Sequence, residues 1–455
     1  MIICTCFSRT ITELGRTVQH SPLARVAIRA IPDDTLLEIF KFYVDHIYHE
    51  VALFRSKWYQ TVHHMVKDIV AWHTLVHVCR KWRYVVFDSP RWLHLELLCT
   101  NRSPAKKMLV VRPALPIFIN VANGGRCQWP GVTNVISALK RHDLVCRIRI
   151  LGVPNSLLKS SAIKKQFPML TDLTLHSYED YEDNAPAIPD LFLGGSAPRL
   201  RSLEFAGIPF LFPALGRLLL SATDLVTFRL LDLPNSGYRD ISPELLATNL
   251  SVLTKLQELS IDFRYPRSRA DRERRHPPLL KRLVLPSLNE FSFKGNSEYL
   301  EDVVDRIDAP ALDRVTITFF NQLVFDTPLL RDFVRRTEVF QESHRADVSF
   351  AGFHIELTLS RRGGVKNHHT LVVQISSRAI DWQLSSLARF CSTSITPLPT
   401  LEYLSIHTGP LWWKASIDGM DNAQWLELLH PFVTEGPGLI RVLSSACCAR
   451  PGRTH

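Results

Sequence analysis

Several histidines in this 455-residue chain stand at spacings that could support metal chemistry. His46 and His49, followed by Glu50, would bring two imidazoles near one helical face, but the order of residues fits no zinc motif. The pairs 63–64 and 368–369 are adjacent histidines that point in different directions, which suits joint ligation poorly. No nucleophile elbow, phosphate-binding loop, dinucleotide fingerprint or kinase motif occurs. We therefore expect a protein that is not an enzyme, with no catalytic, cofactor or metal site.

One arginine cluster is the strongest charged feature of the sequence. Pro266 and the pair 277–278 bracket it, so we place it in a loop between larger elements. Guanidinium groups match phosphate and carboxylate, which makes the loop a candidate site for an acidic or phosphorylated partner. The alternative is an exposed linker, which is the commoner role of a charge run. The cluster consists of Arg264, Arg267, Arg269, Arg272, Arg274 and Arg275.

The overall composition limits the class of protein. Apolar residues make up 46% and charged residues 22%, which is typical of a folded chain. The net charge of +10 is scattered, and without a recognised reader motif we expect no nucleic-acid partner. No apolar run is long enough to cross a bilayer, so we expect no membrane partner. The nine cysteines form no CxxC pair, which favours a reducing compartment, the cytoplasm or nucleus.

Two amphipathic helices are predicted within residues 31–92. In the first, Leu36, Ile39, Phe40 and Tyr43 share one face, and Pro32 suits the opening turn. In the second, apolar residues from position 75 to position 85 lie on one face of a continuous helix. This helix ends at Ser89-Pro90. Two such helices could be no more than a cap on a larger fold.

The two ends of this segment resemble the F-box, a three-helix module of about fifty residues. The resemblance rests on Pro32-Asp33 with Leu36 to Phe40, then Val78 to Trp82, and a later Trp92. It implies docking on the Skp-type adaptor of cullin–RING ubiquitin ligases. An insertion at about 44–68 departs from the usual module, and the whole pattern is similar to F-box families expanded in mushroom-forming basidiomycete fungi. The positions that would form the module core or contact the adaptor are Ile31, Pro32, Leu36, Leu37, Ile39, Phe40, Val78 and Trp82.

A loose repeat follows, of the form apolar-x-x-apolar-x-apolar, with helical stretches between copies. An inward apolar residue begins each copy, and the last two inward residues alternate with outward polar ones, as on a strand. A strand–helix unit cannot bury its apolar face alone, so neighbouring units must stack. The pattern resembles leucine-rich repeats in an irregular form. Copies begin at Leu170, Leu200, Leu225, Leu256, Leu280, Leu288, Leu312 and Leu401, after a less regular copy at Cys146.

Two places break the repeat. Leu280 and Leu288 are too close for two full repeats. Between 317 and 401 no clear copy occurs, although 351–359 and 370–376 alternate like strands, which we interpret as degenerate repeats joined by a hairpin-like turn at 361–364. The segment after Gly436 lacks the strand pattern that another repeat would show.

These observations give an α/β fold class, an all-helical F-box module followed by an irregular leucine-rich-repeat-like solenoid of alternating strands and helices. The predicted boundaries are a mobile tail over 1–25, the F-box-like module over 26–94, the solenoid over 95–433 and an atypical tail over 434–455.

The resemblance implies the substrate-recognition subunit of an SCF-type cullin–RING ubiquitin ligase. The F-box would bind the Skp-type adaptor, and through it a cullin, while the repeats hold an unknown target protein. The alternative is a protein-binding repeat scaffold outside any ligase, whose N-terminal helices only cap the array.

Overall fold

The computed structural model forms two compact units, one of residues 1–123 and 128–149, the other of 150–455 with 124–127. It describes residues 31–53, 71–89, 93, 95–100, 115–122, 132–177, 188–210, 212–234, 241–265, 282–320, 327–337, 340, 343–351, 354–361, 370–376, 385–391, 401–408 and 441–446. The predicted tail over 1–25 and residues 54–68 of the predicted insertion lie outside these residues.

The first unit contains the predicted N-terminal helices and a small strand group. Strands β1 and β2 are parallel, with Leu97 opposite Ile117, and β2 neighbours β3. The elements are α1 (Asp33–Leu53), α2 (Ala71–Val78), α3 (Arg80–Asp88), β1 (Leu97–Cys99), β2 (Ile117–Ala122), α4 (Val132–Leu139) and β3 (Val145–Leu151), the last of which ends just beyond the unit boundary.

Helix α1 begins where the sequence indicates but ends later. Pro32 precedes the helix, and its carbonyl accepts the backbone N–H of Leu36 at 3.0 Å. Asp33 and Asp34 fill the first turn, where negative charge favours the helix dipole. The helix then continues to Leu53, so it enters the segment that the sequence analysis assigns to an insertion.

The second predicted helix is two helices, a correction with a local cause. Cys79 has extended backbone angles, φ −157° and ψ 172°, and its Sγ accepts the backbone N–H of Trp82 at 3.5 Å. It therefore caps α3 and interrupts the single helix that the apolar residues predict. The sequence does not reveal this interruption, because apolar positions with a period of 3.6 residues continue across a one-residue break. Val78 and Trp82 consequently belong to different helices.

The second unit alternates strands with helical connections. Its short elements are α5 (Asn155–Leu158) and two 3₁₀ helices, Ser161–Lys164 and Phe192–Gly195; a further helix spans 385–391. The longer helices are α6 (Phe212–Ser221), α7 (Pro243–Leu250), α8 (Ser297–Arg306) and α9 (Pro328–Arg336). The strands are β4 (Asp172–His176), β5 (Ser202–Ala206), β6 (Thr227–Leu233), β7 (Glu258–Phe263), β8 (Leu283–Val284), β9 (Glu290–Gly295), β10 (Ile307–Asp308), β11 (Arg314–Phe319), β12 (Arg345–Ala351), β13 (His354–Ser360), β14 (Thr370–Ser376), β15 (Tyr403–Thr408) and β16 (Arg441–Ala446).

A mixed, mainly parallel sheet organises this unit, in the order β4-β5-β6-β7-β9-β11-β14-β13-β12-β15-β16. From β4 to β11 every neighbouring pair is parallel. The register aligns apolar residues of successive repeats, for example Leu203 with Phe228 and Phe291 with Val315. These inward side chains are almost fully buried, so the predicted stacking of strand–helix units is confirmed.

Aromatic packing explains one glycine in the core. Phe263 and Phe293 pack edge to face at 5.9 Å between ring centroids. A Cβ atom on Gly295 would lie 2.7 Å from the ring of Phe293 and 2.8 Å from that of Phe263. The strand end therefore needs a residue without a side chain.

Helix α9 shows how the connections are fixed to one another. Pro328 opens it, and the buried carboxylate of Glu301 on α8 accepts the backbone N–H groups of Leu329 and Leu330 at 2.9 and 2.6 Å. A carboxylate at this point satisfies two N–H groups that have no partner within the helix.

The irregular copies of the repeat have distinct structures. The copy at Leu280 forms β8, which pairs only with β10 in a separate two-stranded sheet, whereas the copy at Leu288 supplies β9 of the main sheet. The short spacing thus marks one repeat with an extra strand pair.

The region between 317 and 401 corrects the sequence analysis. It contains three antiparallel strands, β12, β13 and β14, rather than degenerate parallel repeats. Strand β14 joins the sheet parallel to β11, and β12 joins it parallel to β15. Strand β12 was missed, and alternation alone predicts strands without fixing their direction. Residues 362–369, where the hairpin-like turn was predicted, lie outside the description.

The C-terminal segment gives a second correction. Strand β16 lies parallel to β15 within the tail expected to lack a repeat strand. Backbone hydrogen bonds at a sheet edge do not require the leucine pattern of the earlier copies, which is why the pattern gave no signal.

A core substitution tests the packing. Phe291 is fully buried, so Phe291→Ala should lower the free energy of unfolding by about 3–5 kcal/mol. Leu245→Ala, at a position 47% exposed, should change it by less than about 0.5 kcal/mol. Urea denaturation followed by circular dichroism measures both, and equal effects would contradict the described core.

Candidate functional site: two interaction surfaces

The first surface is built on the three helices of the first unit. Phe40 of α1 and Trp82 of α3 pack edge to face at 4.7 Å between ring centroids. Lys81 donates to the carbonyl of Ile31 at 2.6 Å and lies 3.1 Å from the Asp33 carboxylate, which ties α3 to the start of α1. Among the side chains of these helices that the structure describes, the buried apolar ones are Leu36, Phe40, Leu75, Val76, Val85 and Val86.

Large apolar side chains remain exposed outside this core. Ile39 and Phe42 are 47% and 66% exposed, and Tyr84 and Phe87 are 68% and 36% exposed. The members of each pair are three residues apart in a helix, so each pair shares a face. Exposed aromatic and aliphatic groups of this size are typical of interaction surfaces.

The predicted F-box residues divide into three groups in the structure. Leu36 and Phe40 are core residues, and Ile39 and Pro32 are exposed. The other four, Ile31, Leu37, Val78 and Trp82, are half-buried. Sequence reasoning placed Ile39 on the same stripe as its buried neighbours and missed Tyr84 and Phe87, whose exposure no sequence pattern indicates.

The second surface is the polar face of the sheet, defined here as the side chains of strands β4 to β15 that alternate with the core residues. The register that aligns the apolar rows also aligns this face. It places Glu204 of β5 beside Arg229 of β6, and Glu258 of β7 beside Glu290 of β9.

Four charged or titratable groups form a continuous network on this face. His176 Nε2 lies 2.5 Å from Glu204 Oε1, and Arg229 Nη1 donates to Glu204 Oε2 at 3.1 Å. Arg229 also holds Glu258 with two hydrogen bonds, from Nε at 2.5 Å and from Nη2 at 2.8 Å. One guanidinium thus serves two carboxylates, and His176 is a second partner of Glu204.

The network shifts the pKa of its members. Burial acts to raise the pKa of Glu204, but the hydrogen bond and charge of His176, together with the charge of Arg229, outweigh it, and the pKa lies below its usual range. For Arg229 burial acts to lower the pKa, and the carboxylates of Glu258 and Glu204 hold it above the ordinary value. Both groups therefore keep their charge at neutral pH.

A second group of charges lies where the strands end. Asp232 has a left-handed backbone, φ 52°, at an irregularity in the register between β6 and β7. Arg264 holds its carboxylate through Nε at 3.0 Å and Nη2 at 2.6 Å. Such a conformation in a residue other than glycine costs energy and is retained where surrounding contacts fix it.

Asp262 stands beside this pair. Burial raises the pKa of its carboxyl, the ammonium of Lys294 at 2.9 Å opposes the shift, and the charge of Asp232 adds to it. Two carboxylates thus meet at one end of the polar face.

Of the arginines in the predicted basic loop, the structure describes only the first, Arg264. Arg264 is bound to Asp232, with its side chain 15% exposed. Arg267, Arg269, Arg272, Arg274 and Arg275 lie outside the described residues.

The described cysteines are packing or capping residues. Burial raises the pKa of Cys99 to about 11 and that of Cys146 to about 12. Cys146 Sγ also donates to the carbonyl of Ile117 at 3.3 Å. A thiol in such surroundings stays protonated and unreactive. Cys79, which caps α3, is half-buried.

Within the described ranges, no three His, Cys, Asp or Glu side chains come together as a metal site would require. Across the same ranges, no helix is both long and apolar enough to cross a membrane.

The fold and the two surfaces define an α/β protein with a mainly parallel strand array and a separate helical module. No family model matches the chain, and no curated protein matches it. Among solved structures the chain is similar to that of Listeria monocytogenes InlP, with 13% sequence identity, 58% of this chain and 74% of that chain covered, and a TM-score of 0.23. A likeness of this size carries no argument about fold or function.

The network on the polar face gives a pH-dependent prediction. Glu204→Gln removes the charge between His176 and Arg229 and should lower the free energy of unfolding by about 1–3 kcal/mol at neutral pH. Because the folded pKa of Glu204 is depressed, its contribution is present above the unfolded value of about 4.3 and is lost as the pH falls through the folded value.

The two proteins should therefore converge in stability once the pH has fallen below the folded pKa of Glu204, which lies below the unfolded value. Denaturant unfolding at several pH values measures the difference. Glu290→Gln, which removes a more exposed carboxylate paired with Arg314, serves as the control and should cost at most about 1 kcal/mol. A stability difference between Glu204→Gln and the original protein that stayed constant with pH would refute the role assigned to this carboxylate.

Proposed function

We propose that this chain is the substrate-recognition subunit of an SCF-type cullin–RING ubiquitin ligase. Helices α1 to α3 would dock on the Skp-type adaptor, and the strand array would hold the target protein. The chain itself would carry no catalytic site, and its contribution would be the proximity and orientation of the target.

The observation that carries this proposal is the division of apolar residues on the three helices. The module has its own core, centred on Phe40 and Trp82, and still exposes Ile39 and Tyr84 to solvent. A helical cap on a repeat array would place its large apolar groups against that array. Exposed groups on a module with its own core instead favour a partner.

The F-box resemblance supplies the identity of that partner. Its two quoted ends, Pro32-Asp33 with Leu36 to Phe40 and Val78 to Trp82, form helices that pack together. The extension of α1 to Leu53 differs from the usual module, and the proposal rests on the two ends.

Adaptor capture tests the proposal with a matched pair of substitutions. Ile39 and Leu245 are both 47% exposed, on α1 and α7 respectively. Ile39→Asp should weaken binding of purified Skp-type adaptor by at least about tenfold, the scale of an interface residue worth 1.4 kcal/mol. Leu245→Asp should leave binding unchanged, because α7 lies in the other unit.

Pull-down followed by titration measures both effects, and thermal unfolding establishes that each variant is folded. Leu36 is unsuitable for this test, since an acid at a position 1% exposed would disrupt the helices themselves. A folded original chain that fails to bind the adaptor would sink the ligase assignment. The chain would then be better described as a protein-binding scaffold.

A further inference from the structure

The polar face of the sheet carries a charge opposite to that of the whole chain. The chain has a net charge of +10. On β4, β5, β6, β7 and β9, however, acidic side chains outnumber the basic ones, which are Arg229 and Lys294, with Arg264 directly after β7. The acidic residues on these strands are Asp172, Glu204, Asp232, Glu258, Asp262 and Glu290.

We propose that this face binds a lysine- or arginine-rich segment of a partner protein. The inference deepens the proposed function, since it rests on the strand array as the target-binding region and adds the chemistry of the target. Nucleic acids, anionic membranes and phosphorylated peptides share the sign of this face and would be repelled by it.

Glu204 and Glu258 share the guanidinium of Arg229, and Glu204 also contacts His176. The backbones of their strands stand about 10 Å apart, given the spacing of neighbouring strands. Glu258 is the more exposed of the two carboxylates, so a cation of the partner would approach Glu258.

The face is accessible around this pair, although Glu204 itself is buried. The side chains of Arg229 and Glu258 are 36% and 19% exposed, and Glu290 next to them is 37% exposed. The opposite side of the same strands is almost fully buried, with Leu259 and Phe291 at 0%.

The strand ends extend the acidic character. Asp232, held in a left-handed conformation, adds a carboxylate beside Asp262. The left-handed conformation of Asp232 occurs where the register between β6 and β7 is irregular. This conformation costs conformational energy, and it lies at the point where the two carboxylates come together.

The test uses the full chain and fluorescently labelled peptides of equal length, one alternating lysine with serine and the other glutamate with serine. Fluorescence anisotropy should show binding of the basic peptide, weaker at high ionic strength, and no binding of the acidic peptide. Glu258→Gln should weaken binding of the basic peptide by about two- to fivefold, the range of one partly exposed charge pair.

Two further variants separate this face from the general charge of the protein. Arg314→Gln removes a cation from the same face, opposite Glu290, and should strengthen binding by a similar factor. Asp224→Asn makes the same charge change as Glu258→Gln, but in the turn that precedes β6, and should leave binding unchanged.

Equal losses for Glu258→Gln and Asp224→Asn, or binding of the acidic peptide, would overturn the proposal. So would a change in self-association of Glu258→Gln by sedimentation, which would identify a second copy of the chain as the occupant. Adaptor capture by Glu258→Gln should stay intact, so loss of adaptor binding and loss of peptide binding report on separate hypotheses.

Discussion

The parallel register from β4 to β11 is the constraint on which the larger unit depends. It places Leu203 against Phe228 and, with the same pairing, Glu204 against Arg229. Because side chains alternate along a strand, a slip of one residue would exchange the two faces and move charges into the core. The packing of the apolar rows therefore fixes the polar network as well, and the surface proposed to bind a partner inherits its geometry from the core.

The polar network itself is better understood as a device of recognition than of stability. Partly buried ion pairs lose hydration as well as gaining attraction, so their net contribution is modest. Glu290 is paired with Arg314. Glu204 and Glu258 instead share Arg229, with His176 as a further partner of Glu204, and the exposed side of this network at Glu258 is where an external cation could approach.

The sequence predicts much of this fold because burial imposes short-range periodicity. Every repeat copy from Leu170 to Leu401 corresponds to a strand, and helices such as α6 and α7 lie between copies, as the sequence predicts. The break at Cys79 escaped prediction because a helical stripe tolerates one extended residue. The antiparallel direction of β13 escaped because strand alternation is the same in both directions.

The candidate surfaces were less predictable than the fold. A helical stripe shows which residues share a side, but whether Ile39 faces the core or solvent depends on how far α2 and α3 extend over it. Likewise, Glu204 and Glu258 are separated by more than fifty positions and become neighbours of one guanidinium only through the register. The arginine cluster attracted attention because it is contiguous in sequence, whereas the acidic face is contiguous only in space.

The division into two compact units gives the proposed receptor a physical basis. The exposed residues proposed to contact the adaptor belong to the first unit and the acidic face to the second, so neither surface contributes residues to the other. The two surfaces also differ in chemistry: one offers apolar contact, and the other offers negative charge. Binding through apolar burial responds weakly to salt, while binding through charge responds strongly. A subunit that joins a constant partner to a variable one needs this separation, since the charged surface can change its specificity without altering the apolar contact.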